Sequence, residues 1–136
     1  MKESSVQQRV RLAIAYAGGD AWRNNVGVLL DINGRPVRYG LANESKEMNE
    51  KFKSSDIIGV MPVKITQDMV GKTIGQFIAP ECKEEGWTFP QPTNVREYAH
   101  CVAQANFHDI VRRAGGKADF VTSEEDIKRL LSAPLS

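Results

Sequence analysis

The first third of the chain carries two different patterns of apolar residues. Over residues 3–17 the apolar positions recur at helical spacing and two glycines follow them, which predicts a helix and its end. Residues 26–30 form a short apolar run instead, which indicates a strand. Asn33-Gly34 then predicts a two-residue hairpin turn into a second strand over residues 35–39.

Polar and apolar runs alternate along the middle of the chain. Residues 42–55 are polar and contain several lysines, so they predict a solvated loop or a short exposed helix. The β-branched run DIIGVMPVKI, which begins at Asp56, is typical of a buried strand. Residues 73–83 predict a further strand, and prolines mark the turn that follows it.

The last third predicts a helix, a strand and a second helix. An apolar stripe predicts a helix over residues 94–113, and a short strand follows over residues 117–122. Ser123 with Asp126 resembles a capping box that starts the final helix. The predicted order is α-β-β-β-β-α-β-α, which is an α/β (α+β) arrangement with a mixed central sheet flanked by helices. Without repeats or a linker, residues 1–136 predict a single domain.

Composition narrows the class of protein without identifying a partner. A chain of 136 residues and 15.1 kDa fits one domain that buries roughly 68% of its unfolded surface. No apolar run approaches the roughly 20 residues that span a bilayer, so we expect no membrane protein. The net charge of +1 is compatible with many partners, because basic groups can be concentrated on one face.

The N-terminus and the cysteines predict a reducing compartment. MKESSVQQRV lacks the apolar segment of a secretory signal, so we expect a cytoplasmic protein. Cys82 and Cys101 are then expected to remain thiols, and two cysteines do not make a disulfide framework.

An acid and an amine stand at the end of the predicted strand over residues 73–83. Strand alternation points Glu81 and Lys83 to the same side, with Cα atoms about 7 Å apart. A second carboxylate, Asp56, heads the preceding predicted strand, and neighbouring strands lie roughly 4.8 Å apart. Two carboxylates and a lysine would suit Mg²⁺ or Mn²⁺ and an attacking water. The simpler alternatives are a surface ion pair for Glu81 and Lys83 and a turn or strand-start residue for Asp56.

These residues carry a resemblance to a known family. The segments SSDIIGV and ECK and the later Gln104 resemble the PD-(D/E)XK nuclease superfamily, and the chain is more similar still to its VRR-NUC (virus-type replication-repair nuclease) branch. ESSVQ resembles the family's first-helix signature, WRNNVG and RYGL its early hairpin, and Q-x-x-F leading to AGG its later helix. The resemblance covers nearly the whole chain, and its specificity lies in the order of the matches.

The resemblance implies a role for each matching residue. Asp56, Glu81 and the backbone carbonyl of Cys82 are implied as ligands of Mg²⁺ or Mn²⁺, and Lys83 as the group that positions or activates the attacking water. The implied reaction is hydrolysis of a phosphodiester. The fold implied is the restriction-endonuclease-like core.

Two more residues are implied less directly, and the pattern has departures. Glu3 is implied at the same site, and its helical stripe predicts that it faces the sheet; the alternative is a favourable charge at a helix N-terminus. Gln104 is implied to reach a metal ligand, the lysine or a DNA phosphate, with a plain surface glutamine as the alternative. Ser55 stands where the family often has proline. Pro80 precedes Glu81 and requires a bulge or an edge position, because proline has no N–H to donate.

The function implied is a structure-selective DNA endonuclease in a bacterium or a phage-infected host cell. Free-standing domains of this family resemble junction resolvases, so the resemblance implies a C2 homodimer that cleaves branched DNA such as four-way junctions. Cleavage of flaps or duplex ends is an alternative, as is an inert nuclease-fold module that binds DNA within a replication or packaging assembly. Basic residues of the hairpin and the polar loop are candidate DNA contacts, although a solvated face explains them equally well: Arg23, Arg35, Arg38, Lys51 and Lys53.

Overall fold

Four helices and six strands are formed within residues 2–135, the part of the chain that the computed structural model describes. They belong to two units, one ending at Gly59 and the other beginning at Val60. In chain order the elements are α1 (Glu3–Tyr16), β1 (Asp20–Arg23), β2 (Gly27–Leu30), β3 (Pro36–Tyr39), α2 (Lys46–Lys51), β4 (Ile57–Val60), β5 (Ile78–Cys82), α3 (Val95–Arg113), β6 (Lys117–Val121) and α4 (Glu124–Ser132).

The first unit combines a two-stranded sheet with a hairpin. Strand β1 pairs with β4, and helix α1 packs against β1. The two strands approach so closely at Gly59 that a Cβ there would lie 2.3 Å from the carbonyl oxygen of Asp20. Strands β2 and β3 pair in antiparallel register from Gly27 opposite Tyr39 to Leu30 opposite Pro36. The predicted hairpin is therefore confirmed.

The turn of this hairpin is longer than the predicted two-residue turn. A two-residue type I′ turn needs positive φ at both central residues, and Asn33 does not have it; Gly34 does, at 76°. The turn is closed by the N–H of Asp31, which donates to the carbonyl of Arg35 at 2.8 Å. The Asp31 carboxylate also accepts from the backbone N–H groups of Asn33 and Arg35. This local acceptor stabilises the longer turn.

The second unit is a strand, helix, strand crossover followed by a helix. Strands β5 and β6 pair in parallel, with Ile78 opposite Lys117 and Cys82 opposite Val121. Helix α3 connects them, and both α3 and α4 pack against β6. The buried apolar side chains of this core are Cys101, Val111, Ala118 and Val121.

The elements differ from the predicted ones at four places, of which two change their order and two change a boundary. Strand β1 was not predicted, and α2 takes the helical alternative offered for residues 42–55. Strand β4 ends at Val60, well short of the predicted run, because Pro62 follows and cannot donate a ladder bond. Strand β5 begins at Ile78 instead of residue 73. The helix over 94–113 and the strand over 117–122 are confirmed to within a residue.

The chain is of the mixed α and β class, with small sheets. In the described residues the strands form three two-stranded sheets. Within residues 2–135, none of the helices has the length and apolar character needed to cross a membrane.

Candidate active site

The end of β5 and the middle of α3 bring three of the predicted site residues together. Along β5 the half-buried positions alternate with exposed ones, so Ala79 and Glu81 share the covered face and Cys82 lies on the exposed one. Lys83, the residue after the strand, continues the covered face. The facing residue of α3 is Gln104, and all three side chains are in contact.

Gln104 bridges the acid and the amine. Its Nε2 donates to Oε1 of Glu81 at 2.7 Å, and its Oε1 accepts from Nζ of Lys83 at 2.9 Å. The direct distance from Lys83 Nζ to Glu81 Oε1 is 4.0 Å, the limit of an ion pair. The amide of Gln104 therefore uses both of its ends to hold two charged groups in position.

The Lys83 ammonium lies against aromatic rings. The Lys83 side chain is 14% exposed, whereas that of Glu81 is 39% exposed. Nζ is 5.5 Å from the ring centroid of Trp87 and 5.7 Å from that of Phe120. The two rings contact each other at 4.8 Å, and Phe89 packs edge-on against both. The two rings keep the ammonium largely out of bulk water and offer it cation–π contacts.

A cavity of about 300 Å³ opens beside Glu81 and Gln104. Its remaining lining residues come from α3 and include His100, Phe107 and His108. His108 is 3% exposed and packs edge-on against Phe120, with ring centroids 4.8 Å apart. Its Nδ1 has no hydrogen-bond partner within residues 2–135. Burial lowers the pKa of His108, and the nearby Arg112 guanidinium lowers it further. Both effects favour the neutral form of the imidazole beside this cavity.

Pro80 occupies an edge position, as the sequence allowed. The carbonyl of Phe77 and the N–H of Lys83 both bond to β6, at 2.8 Å and 2.9 Å. Successive residues of a strand direct their backbone groups to opposite edges, so Pro80 and Cys82 direct theirs away from β6. Among the described strands, β5 pairs with β6 only. The missing N–H of Pro80 consequently removes no bond from this sheet.

The oxygen atoms around Glu81 fit the chemistry of a hard divalent cation. Both recorded contacts of the Glu81 carboxylate use Oε1, and Oε2 accepts no hydrogen bond from residues 2–135. The carbonyl of Cys82 points to the edge that β6 leaves open. Carboxylate and carbonyl oxygens are the ligands that Mg²⁺ prefers. Residues 2–135 contain no group of three or more His, Cys, Asp or Glu side chains that could hold a metal. The predicted ligands are Asp56, Glu81, the Cys82 carbonyl and Glu3.

The predicted ligands Asp56 and Glu3 belong to the first unit. Asp56 is exposed immediately before β4, and its carbonyl accepts from the N–H of Asn24 at 2.8 Å. The Asn24 side chain also bonds to Ser54 and Ser55, so it fixes the backbone that leads into Asp56. Glu3 is exposed in the first turn of α1 and accepts from Gln7, whereas its stripe predicted that it would face the sheet. None of the residues of α1 is buried, so the helix has no buried face on which Glu3 could lie.

The five basic residues differ in their surroundings. Arg38 is half-buried and hydrogen-bonded within the first unit. The other four are exposed: Arg23, Arg35, Lys51 and Lys53.

Three residues of the site were not predicted from the sequence to be site residues. Trp87 and Phe120 contact the lysine, and His108 lines the cavity. The available signal was position: Trp87 follows Lys83 by four residues, and Phe120 lies opposite Glu81 in the β5–β6 register. Comparison of the chain with protein families, curated proteins and solved structures found no match.

Proposed function

We propose that this protein is a divalent-metal-dependent deoxyribonuclease with a restriction-endonuclease-like core, similar to the VRR-NUC domain. The observation that supports it best is the Glu81–Gln104–Lys83 cluster at the end of β5. An ordinary surface ion pair needs neither a bridging amide nor an ammonium packed on aromatic rings. The cluster instead keeps a charged lysine in a fixed position beside a carboxylate with a free oxygen, which suits hydrolysis of a phosphodiester.

The roles proposed for the residues of the chain are those that the resemblance implies. Asp56, Glu81 and the Cys82 carbonyl would hold Mg²⁺ or Mn²⁺, with Glu3 as a further carboxylate of the set. When bound, the metal supplies charge neutralisation at the phosphate and an acidified water. Lys83 donates one N–H to Gln104 and keeps two for the attacking water and a phosphate oxygen. Gln104 holds that geometry, and the Trp87 and Phe120 rings limit access of bulk water to the ammonium.

The proposed substrate is branched DNA in the cytoplasm of a bacterium or a phage-infected cell. A C2 homodimer would present two active sites to a four-way junction, whose symmetry it would match. Exposed basic residues of the first unit would contact phosphates flanking the cleaved bond: Arg23, Arg35, Lys51 and Lys53, together with Arg38.

The experiment compares cleavage of four-way junction, flap and linear duplex DNA by the purified protein with Mg²⁺, with Mn²⁺ and with EDTA. We expect metal-dependent cleavage that prefers the junction. Asp56→Ala, Glu81→Gln and Lys83→Ala should each lower the rate by at least about 100-fold, since each removes a group that acts on the reacting phosphate. Glu84→Gln is the matched control, because Glu84 is an exposed acid close to Glu81 in sequence.

Three results would contradict the proposal in different ways. Cleavage that survives Glu81→Gln and Lys83→Ala would refute the assignment of the site. Binding of DNA without cleavage by any metal would indicate an inert DNA-binding module. A solution mass close to 15.1 kDa, instead of about twice that value, would refute the homodimer.

A further inference from the structure

A second cavity, remote in sequence from β5, lies within the first unit. Its volume is about 300 Å³, near the lower end of the range of roughly 300–1,000 Å³ for small-ligand sites. The residues that line it include two cations and no carboxylate: Val26, Gly27, Val28, Arg38, Asn43, Asn49, Lys53 and Ser54. The cavity is therefore electropositive in a chain whose net charge is only +1.

One of the two cations that line this cavity, Arg38, is held in position by a buried amide. Asn43 is 2% exposed, and its Nδ2 donates to the carbonyls of Gly27 and Tyr39 at 2.8 Å and 2.9 Å. Arg38 donates from Nη2 to Oδ1 of Asn43 at 3.0 Å and from Nε to its backbone carbonyl at 3.1 Å. The guanidinium is thus held by two bonds to a residue whose side-chain amide is itself hydrogen-bonded to both strands of the hairpin.

The backbone that places Asn43 is strained. Ala42 has φ of 56°, and it is the one residue other than glycine with positive φ among residues 2–135. The left-handed conformation is unfavourable for an alanine, and such strain persists where surrounding contacts require it. Here the contacts are those of Asn43 with the two strands of the hairpin. The strained Ala42 thus directly precedes Asn43, the residue that orients Arg38.

The donors around the cavity are only partly used. Arg38 has five N–H groups and donates two of them within residues 2–135, which leaves three. Lys53 donates to the carbonyl and the Oδ1 of Asn49, at 3.1 Å and 2.7 Å, and keeps one N–H. The Asn49 NH₂ group donates to no acceptor in the described chain. No carboxylate of residues 2–135 forms an ion pair with Arg38 or Lys53.

We propose that this cavity binds a phosphate group. Two cations and an amide donor that converge on one space without an acid match a tetrahedral oxyanion, and a fixed guanidinium suits bidentate phosphate recognition. The identification of this phosphate as a DNA phosphodiester rests on the proposed function. The side chains of Val26 and Val28 add an apolar wall that a sugar can cover and that free phosphate leaves exposed.

The experiment measures binding in EDTA by the full chain. The side-chain Nε–H signal of Arg38, identified by its loss in Arg38→Lys, is followed by NMR during titration with inorganic phosphate or with a short oligodeoxythymidylate. Both ligands are expected to shift this signal, and the oligonucleotide should bind more tightly. Oligonucleotide affinity, measured by fluorescence anisotropy, should fall about tenfold or more in Arg38→Gln and about threefold in the more exposed Lys53→Gln.

The controls remove the same charges outside the cavity. Arg9→Gln on α1 matches Arg38→Gln, and Lys46→Gln on α2 matches Lys53→Gln; both are expected to change the affinity by less than about twofold. Equal losses in the cavity variants and their controls would overturn the site. If Arg38→Gln does not fold, Lys53→Gln and Arg38→Lys decide, and wild-type affinity in both would overturn it. A response to inorganic phosphate without any response to the oligonucleotide would overturn DNA as the ligand.

This test is independent of cleavage because no metal is present. A protein that binds through Arg38 and cleaves no DNA would retain the phosphate site and refute the nuclease. Cleavage combined with full affinity in Arg38→Gln and Lys53→Gln would refute the phosphate site and retain the nuclease.

Discussion

A single amide determines the geometry of the candidate active site. Gln104 donates to Glu81 and accepts from Lys83, so the two charged groups are held 4.0 Å apart without forming a close ion pair. Each charged group uses one atom on the bridge: Lys83 donates one of its three N–H groups, and Glu81 accepts through Oε1. The bridge leaves two N–H groups on Lys83 and one oxygen on Glu81 without a partner in the bridge, and the proposed hydrolysis would use these atoms.

Gln104→Leu tests this bridge. Loss of both hydrogen bonds should leave the part-buried Lys83 and Glu81 unsatisfied, with a cost of about 1–3 kcal/mol in the free energy of unfolding and at least about tenfold in cleavage rate. Gln104→Glu retains the acceptor for Lys83 and should repel Glu81, so its rate should also fall. Urea unfolding and cleavage assays check this. Gln8→Leu on α1 is the control, and the same loss in both variants would contradict the assigned role.

The pKa of His108 predicts a pH dependence of stability. Burial and Arg112 favour the neutral imidazole, while the carboxylates of Glu81, Asp109 and Asp119 oppose them more weakly. Between the lowered folded pKa and the unfolded value of 6.5, the unfolded chain binds more protons. The stabilisation from neutral His108 is therefore complete above pH 6.5 and is lost as the pH falls below it.

His108→Phe should flatten this dependence. The variant keeps an aromatic ring against Phe120 and removes the titrating group, so its free energy of unfolding should change less between about pH 7.5 and pH 5 than that of the wild type. Urea unfolding at several pH values provides the measurement. If the free energy of unfolding of both proteins changes by the same amount between these pH values, another group causes the loss of stability at acidic pH.

At the scale of elements, the start of α4 shows how local chemistry determines a boundary. Ser123 Oγ accepts from the N–H of Asp126 at 3.1 Å, as the capping box predicted. The reciprocal bonds go to Thr122 instead of Ser123: its N–H and its hydroxyl both donate to Asp126 Oδ2. These bonds lower the pKa of Asp126. The start of α4 is therefore stabilised by Thr122 and Ser123, the two residues that precede its first turn.

Ser123→Ala should cost about 1 kcal/mol in the free energy of unfolding, because the N–H of Asp126 loses its acceptor. Ser123→Asp keeps an acceptor at this position and should cost much less. Thermal or urea unfolding distinguishes the two variants. Equal destabilisation by both would indicate that packing, and not the cap, determines this helix start.

At the scale of the whole molecule, the two units have unequal cores. The buried apolar side chains of the described residues all belong to the second unit: Cys101, Val111, Ala118 and Val121. The first unit buries the polar Asn43 and exposes hairpin residues such as Leu30 and Ile32. Because apolar burial supplies most of the stabilisation of a fold, the first unit should be the less stable of the two.

The two tryptophans report this difference separately. Trp22 lies in the first unit and Trp87 in the second, and the chain has no other tryptophan. In Trp87→Phe the fluorescence of Trp22 should change at a lower urea concentration than the fluorescence of Trp87 does in Trp22→Phe. Coincident transitions would show that the units unfold as one cooperative body.

Much of the secondary structure was predictable because helical stripes, caps and prolines act over a few residues. The helix over 94–113, the cap at Ser123 and the hairpin were predicted on that basis and confirmed. The prediction of a two-residue turn was wrong because Asp31 supplies a side-chain acceptor that such a turn does not use. Strand β1 was missed because its burial depends on pairing with β4, which is distant in sequence.

In the candidate sites, too, some features depend on local sequence and others on contacts between distant segments. The sequence by itself determined that Glu81 and Lys83 share one face, because strand alternation is local. Only the tertiary structure decided that Gln104 lies between them, because its helix begins twelve residues after Lys83. It also decided that Asn43 directs the Arg38 side chain towards a cavity. Hydrogen bonds between distant segments depend on distance and direction in the folded chain, and residue types alone do not encode either.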